Sequence, residues 1–261
     1  MIRCLLITLL TTLAAADFGA TRLVVAEENQ VLELRTYTLV DAAAEKKLDT
    51  YLQQALLPAL TRQGLGPIGA FDQADDSEAD EVKVMLLVAG PNVAAVTGAM
   101  AKLTADERYQ QAAMDYLSTP AKEPLVKRIR SELLLSFDCW PQVVVPRQQK
   151  DQRSRLFELR IYESSTERLG QLKVEMFNSG EVPIFLDSGI DPVFMGQALI
   201  GDKMPNLTYM TVYDTAEART AGWKKFSKHA DWQVLRAVAK YQGTVSKIHK
   251  SDWVPKDYSQ L

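Results

Sequence analysis

From Val31 to Thr38 apolar and polar residues alternate. Leu32, Leu34 and Thr36 fall on one side, and Glu33, Arg35 and Tyr37 on the other. A period of two marks a β-strand with two unlike faces. The pattern returns, with the residues Glu-Leu-Arg-x-Tyr, at Glu158 to Tyr162, 125 residues after Glu33. Between these strands the period lengthens. Leu48, Tyr51, Leu52, Ala55, Leu56, Ala59 and Leu60 follow one another at helical spacing, and Asp41 stands where an N-cap is wanted. Pro58 lies inside the stripe, so the helix is expected to kink or restart there, and Gly64-Leu65-Gly66-Pro67 ends it. Strands are expected at Ile68–Gln73 and Val82–Ala89, on either side of an acidic turn from Asp75 to Glu81. A helical stretch over Val93–Leu117, divided near Thr104, and a closing strand at Ser131–Phe137 follow.

The same plan is then repeated. Leu156–Glu163 reads as a strand, and Thr166–Leu186 as a helix with Leu169, Leu172, Met176 and Phe177 on its stripe. Pro183, Gly189 and Pro192 stand 125 residues after Pro58, Gly64 and Pro67, and Met210 answers Met85. Strands at Val193–Ile200 and Leu207–Tyr213, helices at Thr215–Phe226 and His229–Lys240, and a strand from Thr244 to His249 complete the second half. Prolines and glycines in register constrain the backbone, not merely polarity, and so argue for duplication. The expected fold is α+β: two tandem ferredoxin-like (βαββαβ) units packed sheet to sheet as an intrachain α/β-barrel. Residues 27–138 form the first unit and 156–261 the second. The Pro- and Gln-containing stretch 139–155 is the linker.

Composition narrows the function classes. A net charge of −3 over 261 residues argues against non-specific nucleic-acid binding, and no Lys/Arg run offers a membrane patch. Residues 1–26 look like a signal peptide. Arg3 precedes an apolar run from Leu5 to Leu13, and small residues allow cleavage after Ala16 or Ala26. This predicts a secreted or periplasmic protein. The run is too short for a stable membrane span, and a buried N-terminal helix is the alternative reading. Removal of the signal takes Cys4 with it. Cys139, between Phe137 and Trp140, is then left without an intrachain partner and reads as a buried, inert thiol.

The duplicated Glu-Leu-Arg-x-Tyr strand, the long helix with an internal proline, the Gly-x-x-Pro turn and the Asp231-Trp232 pair resemble the NIPSNAP family of the dimeric α/β-barrel superfamily. The resemblance spans residues 31–138 and 156–255. The first half departs from it at Glu107-Arg108-Tyr109, where the Asp-Trp pair would stand. It implies an exported, non-enzymatic binding or interaction protein, with a small organic ligand or a homo-oligomer as its partners. The wider superfamily, which includes cofactor-free monooxygenases, suggests the alternative: a cofactor-independent monooxygenase or isomerase acting on a small organic molecule in the inter-sheet pocket. No catalytic residue carries over.

The residues best placed for a site are Glu33, Arg35, Tyr37, Glu158, Arg160 and Tyr162. With Leu32, Leu34 and Thr36 assigned to the helices, these six are expected to face the opposite sheet. There the Glu–Arg pairs would either neutralise one another and lock the halves in register, or leave Arg35 and Arg160 to hold an anionic ligand. His229 and His249 lack metal-ligand spacing; His229 reads as a helix-terminal residue, with haem ligation as the alternative. No metal and no cofactor is expected. No Gly-x-Ser-x-Gly or phosphate loop is present. Trp223, Phe226 and Trp232 read as core or interdomain packing.

Overall fold

The computed structural model describes residues 28–74 and 81–261. The segment read as a signal peptide, with Cys4, and residues 75–80 of the acidic turn lie outside the described residues. In chain order the elements of the first half are β1 (Val31–Leu39), α1 (Ala42–Tyr51), α2 (Leu57–Arg62), β2 (Ile68–Gln73), β3 (Lys83–Gly90), α3 (Val93–Thr97), α4 (Ala99–Lys102), α5 (Glu107–Ala112), α6 (Met114–Leu117) and β4 (Val126–Ser136). A short helix, α7 (Arg147–Lys150), lies in the connection. The second half comprises β5 (Leu156–Glu163), α8 (Glu167–Met176), α9 (Val182–Asp187), β6 (Asp191–Ile200), β7 (Asn206–Tyr213), α10 (Ala216–Lys228), α11 (Ala230–Ala237) and β8 (Lys247–Pro255).

The eight strands close into an antiparallel barrel in the order β1-β3-β2-β8-β5-β7-β6-β4. The fold is α+β, and each half supplies four adjacent strands. Two seams join the halves. At one, Phe71 pairs with Pro255 and Gln73 with Trp253; at the other, Leu134 pairs with Ala198 and Ser136 with Gly196. The second seam needs a glycine. A Cβ on Gly196 would lie 2.9 Å from the Leu134 Cβ and 3.1 Å from the Leu135 carbonyl oxygen.

The first long helix runs on through Pro58, whereas the second is kinked ahead of Pro183, where Gly180 leaves helical geometry at φ +157°. Leu52–Leu56 forms a π-helical turn between α1 and α2, and Phe177–Glu181 does the same between α8 and α9. Pro58 and Pro183 occupy the first turn of the helix that follows. A proline has no N–H to donate, and its ring collides with the carbonyl four residues back. The wider turn is where a helix can absorb both deficits. Each helix pair ends at a glycine in the left-handed region, Gly64 at φ +78° and Gly189 at φ +75°. Asp41 and Thr166 cap the starts, accepting from the Ala44 and Leu169 N–H groups.

Alternation along β1 and β5 holds, but the two faces are the reverse of those expected. Leu32, Leu34, Met85, Leu87, Phe157, Leu159 and Met210 meet in one buried cluster drawn from both halves, so they point into the barrel. Phe71 and Phe157 cross between the halves edge to face, with ring centroids 4.9 Å apart. Tyr37 packs among α1, α2 and α5 residues, and Tyr162 among Phe177, Phe185 and Phe226. An eight-stranded barrel is narrow enough for its own side chains to fill, and a charge among them needs a partner, as Glu132 has in Arg130 at 3.2 Å. The polar face of each first strand therefore turns outward, where helices and flanking strands supply partners. The middle of the inter-sheet space expected to hold a ligand is occupied by this apolar cluster, and the buried Glu132, opposite Leu34 in the register, shares its inward face.

Because the interior is close-packed, Met210→Ala should cost about 2–5 kcal/mol by urea unfolding. A loss under about 0.5 kcal/mol would mean that the space around Met210 is loose.

Candidate functional site

The two Glu–Arg pairs are complete within their own halves. Two residues apart on one strand, their side chains lie side by side. Arg35 donates from Nε and Nη2 to the two Glu33 carboxylate oxygens at 2.9 Å each. Ser131 Oγ donates to Glu33 Oε1 at 2.5 Å, and Arg35 Nη1 lies 3.2 Å from Met100 Sδ on α4. In the second half, Arg160 Nε and Nη2 donate to Glu158 at 2.8 and 3.2 Å. The Trp223 indole N–H, on α10, donates to Glu158 Oε2 at 2.9 Å, and the Arg160 guanidinium carbon lies 3.5 Å from the Trp223 ring centroid. Such bidentate, stacked geometry is what an arginine can make and a lysine cannot. Burial works against the charged guanidinium. Tyr209, Glu158 and Tyr162 outweigh it and hold Arg160 charged above its already high ordinary value.

Neither pair joins the halves, and neither fork is open to an anion. Glu33, Arg35, Glu158 and Arg160 are thus structural ion pairs between sheet and helices, not the lining of an inner pocket. Tyr37 and Tyr162 are equally enclosed. Tyr162 accepts from Tyr209 Oη at 2.8 Å and from Arg160 Nη1 at 3.4 Å, and burial pushes both phenols up.

A third buried pair went unread in the sequence. Lys173 Nζ donates to Glu181 Oε2 at 2.7 Å, with the side chains 5% and 3% exposed. The ammonium also lies 4.6 Å from the Phe177 ring centroid. Burial pushes the Glu181 carboxyl up, and Lys173 opposes the shift. Glu181 closes the π turn, within which Gly180 departs from helical geometry at φ +157°. In the first half, 125 residues earlier, both positions are leucines, Leu48 and Leu56.

The open site is elsewhere. A groove of about 750 Å³ runs between α1 and the α5–α6 pair, closed at one end by residues 118–125. Its wall includes Tyr51 and Tyr116, whose rings stack 3.8 Å apart at an interplanar angle of 10°. Tyr51 Oη is hydrogen-bonded to Tyr109 Oη at 2.9 Å. Burial, then the neighbouring Tyr37 and Tyr109, push the Tyr116 phenol up to about 12, so it is neutral near pH 7. Asp41, Asp115, Glu123 and Lys47 are the charged residues of the lining. The second half differs on this side. Tyr241 donates toward Glu175 Oε1 at 3.1 Å and Ser179 Oγ at 3.3 Å, and Lys240 pairs with Glu175, so the turn at 239–241 covers α8. A stack between residues 65 apart has no local signature. Tyr51 reads simply as part of a helical stripe, and Tyr109 as a departure from the family pattern.

The remaining candidates have structural roles. His229 Nδ1 accepts from the Asp231 N–H and caps α11, while His249 pairs with Glu163. Trp223, Phe226 and Phe185 pack edge to face. Cys139 is half-buried, and burial pushes its thiol up to about 11. Among the described residues, no three His, Cys, Asp or Glu side chains gather as a metal site.

Comparison with known proteins agrees with the resemblance read from the strand and turn motifs. The NIPSNAP family model matches residues 157–260. The matched residues span most of the second half of the chain. No curated protein matches the chain by sequence. Among solved structures, the chain is similar to a provisionally assigned monooxygenase from Lactobacillus acidophilus NCFM: TM-score 0.54, 10% identity, covering 87% of this chain and 94% of that one. An anthrone oxidase-like protein aligns with a TM-score of 0.50 and 10% identity over 88% and 93% of the two chains. A NIPSNAP family protein from Agrobacterium tumefaciens aligns with 16% identity and a TM-score of 0.38, over 42% of this chain and 92% of its own. The full-length likenesses establish the barrel fold of the dimeric α/β-barrel type; chemistry does not follow from fold.

Three variants test the buried pairs. Arg160→Ala should cost about 3–5 kcal/mol by urea unfolding, because Glu158 is left charged and buried; a loss below about 1 kcal/mol would contradict the pairing. Replacing both Lys173 and Glu181 by leucine, as at Leu48 and Leu56, should be neutral or stabilising by about 1–4 kcal/mol, whereas Lys173→Leu alone should destabilise. Equal losses in the single and double variants would show that the pair's charges are not the determining feature.

Proposed function

We propose that this NIPSNAP protein binds a small organic molecule without transforming it, in the groove between α1 and α5–α6. The observation that carries this reading is the groove itself, of a size usual for ligand sites and walled by a stacked tyrosine pair. Three further facts support it. The barrel interior is filled, the Glu–Arg forks are saturated, and the perturbed Glu181 carboxyl is sealed against Lys173. The oxygenase or isomerase alternative loses its inter-sheet pocket. What favours it is likeness of fold to proteins assigned as oxygenases.

In the same reading the two halves are ferredoxin-like copies of one ancestral unit, joined through residues 139–155. The in-register π turns and left-handed glycines support this. The chain is exported, with its signal peptide removed after residue 16 or 26. The described residues contain no helix long and apolar enough to cross a membrane.

Native mass spectrometry of protein taken from its own source should find a small molecule at a stoichiometry of one, absent from the Tyr116→Ala variant. A bound molecule retained by that variant would contradict the groove. Amino-terminal sequencing of the mature protein should begin at Asp17 or Glu27; material starting at Met1 in the exported fraction would contradict processing.

A further inference from the structure

The groove is not electrically neutral. Asp41, Asp115 and Glu123 line it against the single cation Lys47, giving its wall a formal charge of −2. All four are exposed at its rim, whereas Tyr51 is buried and Tyr116 half-buried at its base. Tyr51 directs its hydroxyl to Tyr109 and backs the Tyr116 ring, so the aromatic surface open to the groove is that of Tyr116. The remaining wall is apolar or weakly polar, including Val40, Pro120, Pro124 and Leu125. An aromatic base under an acidic rim attracts one kind of small molecule twice over. The ring quadrupole draws a cation to its face, and the carboxylates lower the energy of that cation in a partly desolvated site. The same rim repels an organic anion.

We propose that the groove selects aromatic organic cations, flat enough to lie on the Tyr51–Tyr116 stack and carrying their charge toward Asp115 and Glu123. The proposal rests on the groove being the binding site and adds the class of ligand. It also sets the first half apart from the second. There Lys240 and Tyr241 lie over α8, placing a cation and an aromatic ring of the protein's own against Glu175.

Three probes of one shape separate the outcomes: N-methylacridinium, neutral acridine at pH 8, and anthracene-9-carboxylate. Each is titrated into the full chain by calorimetry, with the site read from chemical-shift changes in labelled tyrosines. N-methylacridinium should bind about tenfold more tightly than acridine, and the carboxylate more weakly than either. Asp115→Asn with Glu123→Gln should bring the cation and acridine to within about twofold of each other, and added salt should do so progressively. Tyr116→Ala should weaken both; because its half-buried ring can be lost at some cost in stability, Tyr116→Phe should retain binding of both. If acridine or the carboxylate binds as well as the cation, with shifts at Tyr51 and Tyr116, the cation preference is overturned and the groove stands as the site. If none of the three shifts Tyr51 or Tyr116, both the preference and the groove are overturned.

Discussion

The constraint on which the structure depends is the width of the barrel. Eight strands enclose a space that their own inward side chains fill, and Phe71, Met85, Phe157 and Met210 occupy it from both halves. That dry interior joins the two halves more effectively than any ion pair could, because apolar contact across it is non-directional and its loss leaves a cavity. It also decides where charge can go. The alternate residues of the first strands, Glu33, Arg35, Glu158 and Arg160, must face the helices, and there each arginine finds its carboxylate two residues away. The pairs are then completed by Ser131 in one half and Trp223 in the other.

The proposed binding therefore lies outside the barrel. Filled space and saturated forks leave little for a ligand to engage at the sheet. The helical layer is less uniform. A π turn precedes the proline of each long helix, kinked at Gly180 in the second, and the layers beside them diverge: one half leaves a groove at a tyrosine stack, while the other covers the corresponding helix with the turn at 239–241. The proposed duplication and binding role would let the halves divide labour in this way, one packed for stability and one open for binding.

Much of the fold was legible along the chain. Period two located the strands, period 3.6 the helices, and Pro58, Pro183, Gly64 and Gly189 reported backbone constraints. Alternation alone, however, names two faces without saying which is inside. Turning Leu32 and Leu34 toward the helices, with the charged residues inward, satisfies the alternation equally well. The barrel's radius, which no local pattern encodes, decides otherwise. The Trp223–Glu158 hydrogen bond and the Tyr51–Tyr116 stack each join residues 65 apart in sequence, so neither had a local signal. Lys173 and Glu181 were hidden for a different reason. Their pairing depends on the π turn, and a proline within a helical stripe suggests a kink before it suggests a π turn.

The central claim is that the barrel is closed and dry and that binding occurs on the helical layer. Methyl spectra of methionine-labelled protein test it most directly, recorded with a soluble nitroxide and then with N-methylacridinium. Met114, 61% exposed, should broaden with the nitroxide, while Met85 and Met210, both buried in the barrel, should respond to neither reagent. A shift of the Met85 or Met210 methyl on adding the cation would put the binding site inside the barrel and contradict the account.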